Sequence, residues 1–154
     1  MKLDSIDLRI LDILQQDTTL QVADIATQVG LSTTPCWRRI QRLKEAGVIT
    51  RQVALLDAQK VNVAVTVFVS VRTSQHSQEW FDTFKATVQA IPEVVEFYRM
   101  SGDVDYLLKV VVRDIAAYDR FYRRLIATAP LTDVSSSFAM EQIKFTTALP
   151  ICPS

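Results

Sequence analysis

The chain is poor in the residues from which most catalytic and cofactor sites are built. Its 154 residues include three glycines, Gly30, Gly47 and Gly102, all far apart. A phosphate-cradling loop or a dinucleotide fingerprint needs several close together, so neither is expected. Two cysteines, Cys36 and Cys152, and one histidine, His76, argue against a disulfide framework, a zinc site or any other metal centre. There is no Gly-x-Ser-x-Gly elbow, and no serine or cysteine has a histidine nearby in sequence, so nothing signals catalysis. No apolar run approaches the ~18 to 20 residues that would cross a bilayer, and the sequence opens MKLDSID rather than with a basic region and an apolar stretch. A cytoplasmic protein with no membrane partner is expected. Seventeen basic and seventeen acidic residues give a formal net charge of +0, so any nucleic-acid role must come from local charge.

What is present reads as α+β in two parts. Residues 1–50 carry three helices. Asp4 can cap the first, whose Ile6, Ile10, Ile13 and Leu14 form one apolar stripe. The second spans about Gln21 to Val29, with Val22, Ile25, Ala26 and Val29 inward, and ends at Gly30, suited to the left-handed position after a helix. The third has Ser32 as N-cap, tolerates Pro35 in its first turn, and stops at Gly47. Cys36, Ile40 and Leu43 fall within about 60° of each other on its inward side. Thr34, Arg38 and Gln41 lie opposite, flanked by Trp37 and Arg42.

Residues 51–62 read as a linker, with Val53 to Leu56 as a short strand, and residues 63–154 form the second part. Val63, Val65, Val67, Val69 and Val71 alternate at strand period. Ser77 caps a helix with Trp80, Phe81, Phe84, Val88 and Ile91 on one face, ended by Pro92. Val94–Met100 and Tyr106–Val112 form a hairpin about Ser101-Gly102-Asp103. Asp114 caps a second helix with Tyr118, Phe121, Tyr122 and Leu125 together, and Val134 to Phe145 gives a last strand. The order β-α-β-β-α-β predicts a ferredoxin-like domain with both helices on one side of the sheet. Thr66, Phe68, Tyr98, Phe138 and similar residues make both faces of several strands partly apolar, so the uncovered face is expected to pack on another subunit in a two-fold dimer.

A short helix, the tight Gly30-Leu31-Ser32 turn, a longer helix and small Ala26 at the crossing form a helix-turn-helix pattern. Its base-edge positions fall on Ser32, Thr33, Thr34, Trp37, Arg38 and Gln41. Residues 1–32 hold two basic and five acidic side chains, whereas 33–51 hold five basic and one acidic. Charge focused in this way favours a duplex through counterion release. A merely solvated basic helix is the alternative; the turn and the small crossing residue weigh against it.

The stretches LSTTPCWRRIQRLKEAGVI from Leu31, RMSGDVDYLL from Arg99 and the closing SSFAMEQIKFTTALP resemble the Lrp/AsnC, or feast/famine, family of transcription regulators. Within it, the similarity is strongest to a branch containing a cysteine-responsive regulator of cysteine detoxification. The resemblance implies a winged helix-turn-helix domain that binds double-stranded DNA, with phosphates gripped by Arg39, Arg42, Lys44 or Arg51. It also implies a C-terminal domain that oligomerises, commonly into octamers of four dimers, and senses an amino acid or related small effector; no other cofactor is expected. The implied effector site is the turn Met100, Ser101, Gly102, Asp103, Asp105 and Tyr106, where glycine permits close backbone approach and an aspartate offers charge. An ordinary hairpin turn explains these residues too. Tyr118 and Tyr122 are further candidates, with core packing as the alternative; so are Ser135, Ser136 and Ser137, with simple solvent exposure as theirs. His76 is given no role. Two rival functions remain: an architectural DNA packer without effector, and an enzyme on the ferredoxin-like domain.

Overall fold

The computed structural model describes residues 2–152. The chain divides into two compact units, residues 1–54 with 143–154, and residues 55–142. The first unit holds α1 (Ser5–Gln16), α2 (Val22–Val29) and α3 (Thr33–Glu45). Asp4 caps α1 through a reciprocal box: the Asp7 N–H donates to Asp4 Oδ1 at 2.8 Å, and the Asp4 N–H to Asp7 Oδ2 at 3.2 Å. Gly30, at φ +74°, ends α2, and the Leu31 N–H reaches back to the Ala26 carbonyl at 2.9 Å. That left-handed residue forms the corner of the helix-turn-helix. Open space surrounds the position where a Cβ would lie, so backbone strain alone decides a substitution. Gly30→Val is expected to destabilise the unit by about 1–2 kcal/mol in chemical unfolding; an unchanged midpoint would contradict this. Ile10, Ile25, Ala26, Val29, Cys36, Ile40 and Leu43 meet in the three-helix core.

The second unit contains β1 (Val65–Arg72), α4 (Gln78–Gln89), β2 (Val94–Arg99), β3 (Tyr106–Val112), α5 (Ile115–Thr128) and β4 (Asp133–Phe138). Its antiparallel sheet has the order β2-β3-β1-β4, the ferredoxin-like arrangement expected. Val67, Val69 and Val71 of β1 and Leu108, Val110 and Val112 of β3 face the helices and pack with Phe84, Val88, Phe121 and Leu125. Thr66, Phe68 and Ser70 of β1, Leu107, Lys109 and Val111 of β3, and Glu96 and Tyr98 of β2 share the uncovered face, as their pairing requires.

Three expectations need correction. Val53 to Leu56 is not a strand, because among the described residues no neighbouring strand receives its backbone groups; its residues are exposed. Residues 58–62 instead form turns begun by Asp57, whose carboxylate accepts from the Gln59 N–H at 2.9 Å, and ended by Asn62 at φ +59°. The last strand stops at Phe138 rather than Phe145. One further rung, from the Ala139 N–H to the Thr66 carbonyl, meets the start of β1, and beyond it there is no strand partner among the described residues. Residues 143–152 then lie with the N-terminal unit, where Gln15 exchanges hydrogen bonds with the Leu149 backbone at 2.8 and 3.0 Å. Finally, Phe138 pairs with Val67 and so lies on the helix side, edge-on to Tyr118 at 5.1 Å, not on the uncovered face.

On that uncovered face the Glu96 carboxylate accepts from the Lys109 ammonium at 2.9 Å and from the Tyr98 hydroxyl at 2.8 Å, and both bonds hold its carboxyl below its ordinary 4.5. A depressed carboxyl contributes stability above its unfolded value and loses that contribution as pH falls through the folded one. Acid unfolding below about pH 4.5 is therefore expected to include this loss, and Lys109→Met to reduce it. A variant whose acid limb parallels the wild type would contradict the assignment.

Candidate functional site

Two places gather the sequence-predicted residues. The first is the outer side of α3. Its buried stripe, Cys36, Ile40 and Leu43, fixes which side is free. Burial also raises the Cys36 thiol above its ordinary value, so it stays protonated and packs as a small apolar group. Thr34, Trp37, Arg38 and Lys44 stand exposed, Trp37 by 50%, and Gln41 is half-buried beside them. Ser32 occupies the N-cap position in extended conformation, but its hydroxyl makes no capping bond. The hydroxyls of Ser32, Thr33 and Thr34 thus surround a helix start with no acidic residue in its first turn, an end favourable to anions. Arg38, Lys44 and Arg51 are in no ion pair among the described residues.

Arg39 and Arg42 are placed differently from expectation. Arg39 donates to Asp4 at 2.6 Å and to Asp7 at 2.8 Å, and Arg42 to both Asp7 oxygens at 2.8 and 2.7 Å. The Arg39 guanidinium in turn holds the Asp4 carboxyl below its ordinary value. Helical phase is the reason: both arginines lie on the flank of α3 that faces α1, whereas Trp37 and Lys44 lie on the other. The cationic face is therefore Arg38, Lys44 and Arg51, narrower than charge counting implied.

The second place is the β2–β3 turn. Arg99 pairs with Tyr106, the Met100 N–H donates to the Asp105 carbonyl at 2.8 Å, and Gly102 adopts φ +117°. Met100, Ser101, Gly102 and Asp103 are exposed. Asp105 is committed: its carboxylate accepts from the Thr73 N–H at 2.8 Å and its own N–H donates to the Val71 carbonyl, tying the exit of β1 to the hairpin. Tyr106 is buried at the centre of an aromatic cluster with Trp80, Phe81, Phe84 and Phe97, with ring centroids 5.2 to 6.2 Å from its own.

The remaining candidates do not join this turn. Tyr118 is buried, hydrogen-bonds to Ser136, and packs with Phe121, Tyr122 and Phe138 under α5. Ser135 and Ser137 pair with Ser70 and Phe68 on the opposite face of the sheet from Ser136, because successive strand residues alternate. The three serines therefore cannot line one site. Beside the turn lies a cavity of 120 Å³ that sequence reasoning missed, lined by Phe81, Lys85, Gln89, Phe97, Arg99 and Tyr106. Phe81, Lys85 and Gln89 recur every four residues along α4, a spacing visible in the sequence, but their meeting with Arg99 depends on how α4 crosses β2. The Arg99 guanidinium sits 5.8 Å from the Phe81 ring centroid, and neither Arg99 nor Lys85 has an acidic partner among the described residues.

Comparison with known proteins agrees with both units. Residues 3–50 match a winged helix-turn-helix DNA-binding unit and residues 66–149 the Lrp/AsnC ligand binding domain. The chain is 51% identical over 150 residues, 97% of its length and 99% of the other's, to the DNA-binding transcriptional activator DecR of Escherichia coli K12. It is 50% identical over 150 residues, 97% of its length and 92% of the other's, to the glutamate uptake regulatory protein of Zymomonas mobilis. Among solved structures, an AsnC family transcriptional regulator from Agrobacterium tumefaciens superposes with a TM-score of 0.93 at 68% identity, covering 96% of this chain and 97% of that one. A transcriptional regulator from Neisseria meningitidis in complex with L-Met superposes with a TM-score of 0.92 at 33% identity, covering 97% of each chain. A helix-turn-helix with its cationic side outward, joined in one chain to a ferredoxin-like ligand-binding domain, makes this protein a member of the Lrp/AsnC family of DNA-binding transcription regulators.

Proposed function

We propose that the protein inserts α3 into the major groove of its operator and adjusts that binding to the level of an amino acid or closely related carboxylate held at the β2–β3 turn. The observation that carries the DNA half is the outer side of α3: Thr34, Arg38 and Gln41 stand opposite the buried stripe, Trp37 lies exposed on its flank and Ser32 and Thr33 at the helix start, with hydroxyl, amide and guanidinium groups suited to base edges. Lys44 and Arg51 supply phosphate contacts. The effector half rests on the turn and its neighbouring cavity. Exposed backbone around Gly102 and the Asp103 carboxylate suit an α-ammonium, and the unpaired Arg99 and Lys85 suit an α-carboxylate. The L-Met complex of the Neisseria relative supports this ligand class.

Uncovered Phe68, Tyr98, Leu107 and Val111 favour a two-fold dimer through the sheets, which would present two α3 helices to a palindromic operator; higher assembly, to an octamer or similar, is part of the same reading. Coupling between effector and DNA of about 1–3 kcal/mol is expected. A thermal-shift screen against the twenty amino acids tests the effector half. A ligand at 100 times its Kd is expected to stabilise the folded protein by about 2.7 kcal/mol and to change operator affinity. A flat screen would favour a DNA packer without effector.

A further inference from the structure

Asp7 is 1% exposed, an unusual place for a carboxylate in so small a unit. Its two oxygens receive the Asp4 N–H, Arg39 and Arg42, while Asp4 adds a second contact to Arg39. The N-cap acid and a first-turn acid of α1 thus hold two arginines spaced one turn apart on α3. Arg42 lies only about 40° around the helix from Arg38, and its side chain is half exposed, so with Asp7 uncharged it would lie within reach of a phosphate. We propose that Asp7, assisted by Asp4, is a specificity-determining clamp that sets the roll of α3 against α1 and withholds Arg39 and Arg42 from the DNA backbone. Phosphate contacts bind every sequence alike, whereas base contacts discriminate. Holding two cations back lowers affinity for indifferent DNA and leaves discrimination to Arg38, Gln41 and their neighbours. This rests on the reading of α3 as the DNA-binding helix.

The test compares wild type, Asp7→Asn and Asp4→Asn on an operator selected from random duplexes and on a mixed-sequence duplex, each across a salt series. Asparagine keeps an oxygen for the capping box and is as good an N-cap as aspartate. For Asp7→Asn, affinity for mixed-sequence DNA is expected to rise about three- to tenfold at low salt, and the log–log salt slope to steepen by about one to two, one for each phosphate gained. The ratio of operator to mixed-sequence affinity is expected to fall. Asp4→Asn, which removes an exposed partner of Arg39 alone, is expected to steepen the slope by about one, and it carries the test if Asp7→Asn does not fold. A lowered melting temperature with unchanged slope and unchanged ratio would overturn the clamp and leave the cluster purely structural. Absence of wild-type binding to any duplex would overturn the DNA reading beneath it, a failure distinct from an unchanged ratio.

Discussion

Phe121→Ala is expected to cost the C-terminal unit about 3–5 kcal/mol, read as a lower midpoint in chemical unfolding. Phe121 is fully buried on the inner face of α5, in one cluster with the central β1 and β3 residues and 5.7 Å from the Tyr118 ring. Removing it forfeits transfer energy and leaves a cavity that rigid strands on one side and α5 on the other close only partly. Against a typical domain stability of about 5–15 kcal/mol, the loss is large enough to leave the unit partly unfolded at physiological temperature. A cost below about 1 kcal/mol would show that α5 does not close over the sheet at this residue.

Arg38→Ala is expected to weaken operator binding by about 1–3 kcal/mol and to relax sequence choice at the base pair it reads. Unlike Arg39 and Arg42, Arg38 has no carboxylate partner among the described residues and stands fully on the exposed side of α3. Its five donors are therefore free for a guanine edge. Unchanged sequence preference with a salt slope reduced by about one would make it a phosphate contact instead. The same substitution at Arg39 is expected to behave differently, lowering stability by breaking the pair with buried Asp7.

Local punctuation explains why so much of the architecture could be read from the chain. Asp4, Gly30, Ser77 and Asp114 each start or end a helix by geometry that belongs to a few neighbouring residues, and the apolar period switches from helical to alternating at Val63. What escaped depends on partners distant in sequence. Val53 to Leu56 has the composition of a strand but no neighbour to pair with, and β4 ends where β1 begins. The charge of α3 was visible, but its division was not: Asp4 and Asp7 lie more than thirty residues upstream and meet Arg39 and Arg42 only when α1 packs against α3. Likewise, Ser135, Ser136 and Ser137 look like one group until strand alternation sends the middle one to the other face, and Lys85 meets Arg99 only across the cavity between α4 and β2.

The most direct measurement uses tryptophan. The chain has two, Trp37 and Trp80. Trp80 lies against Phe84, and its indole N–H has no partner among the described residues, so Trp80→Phe removes no hydrogen bond to them. In that variant Trp37 is the sole tryptophan, excited selectively on the red edge of indole absorption and half exposed on the outer side of α3. Titration with duplex DNA at low salt is expected to change its emission and shield it from acrylamide, with the effect removed by Arg38→Ala under conditions where only the operator binds. Tight DNA binding that leaves Trp37 as accessible as in the free protein would mean that another surface meets the duplex.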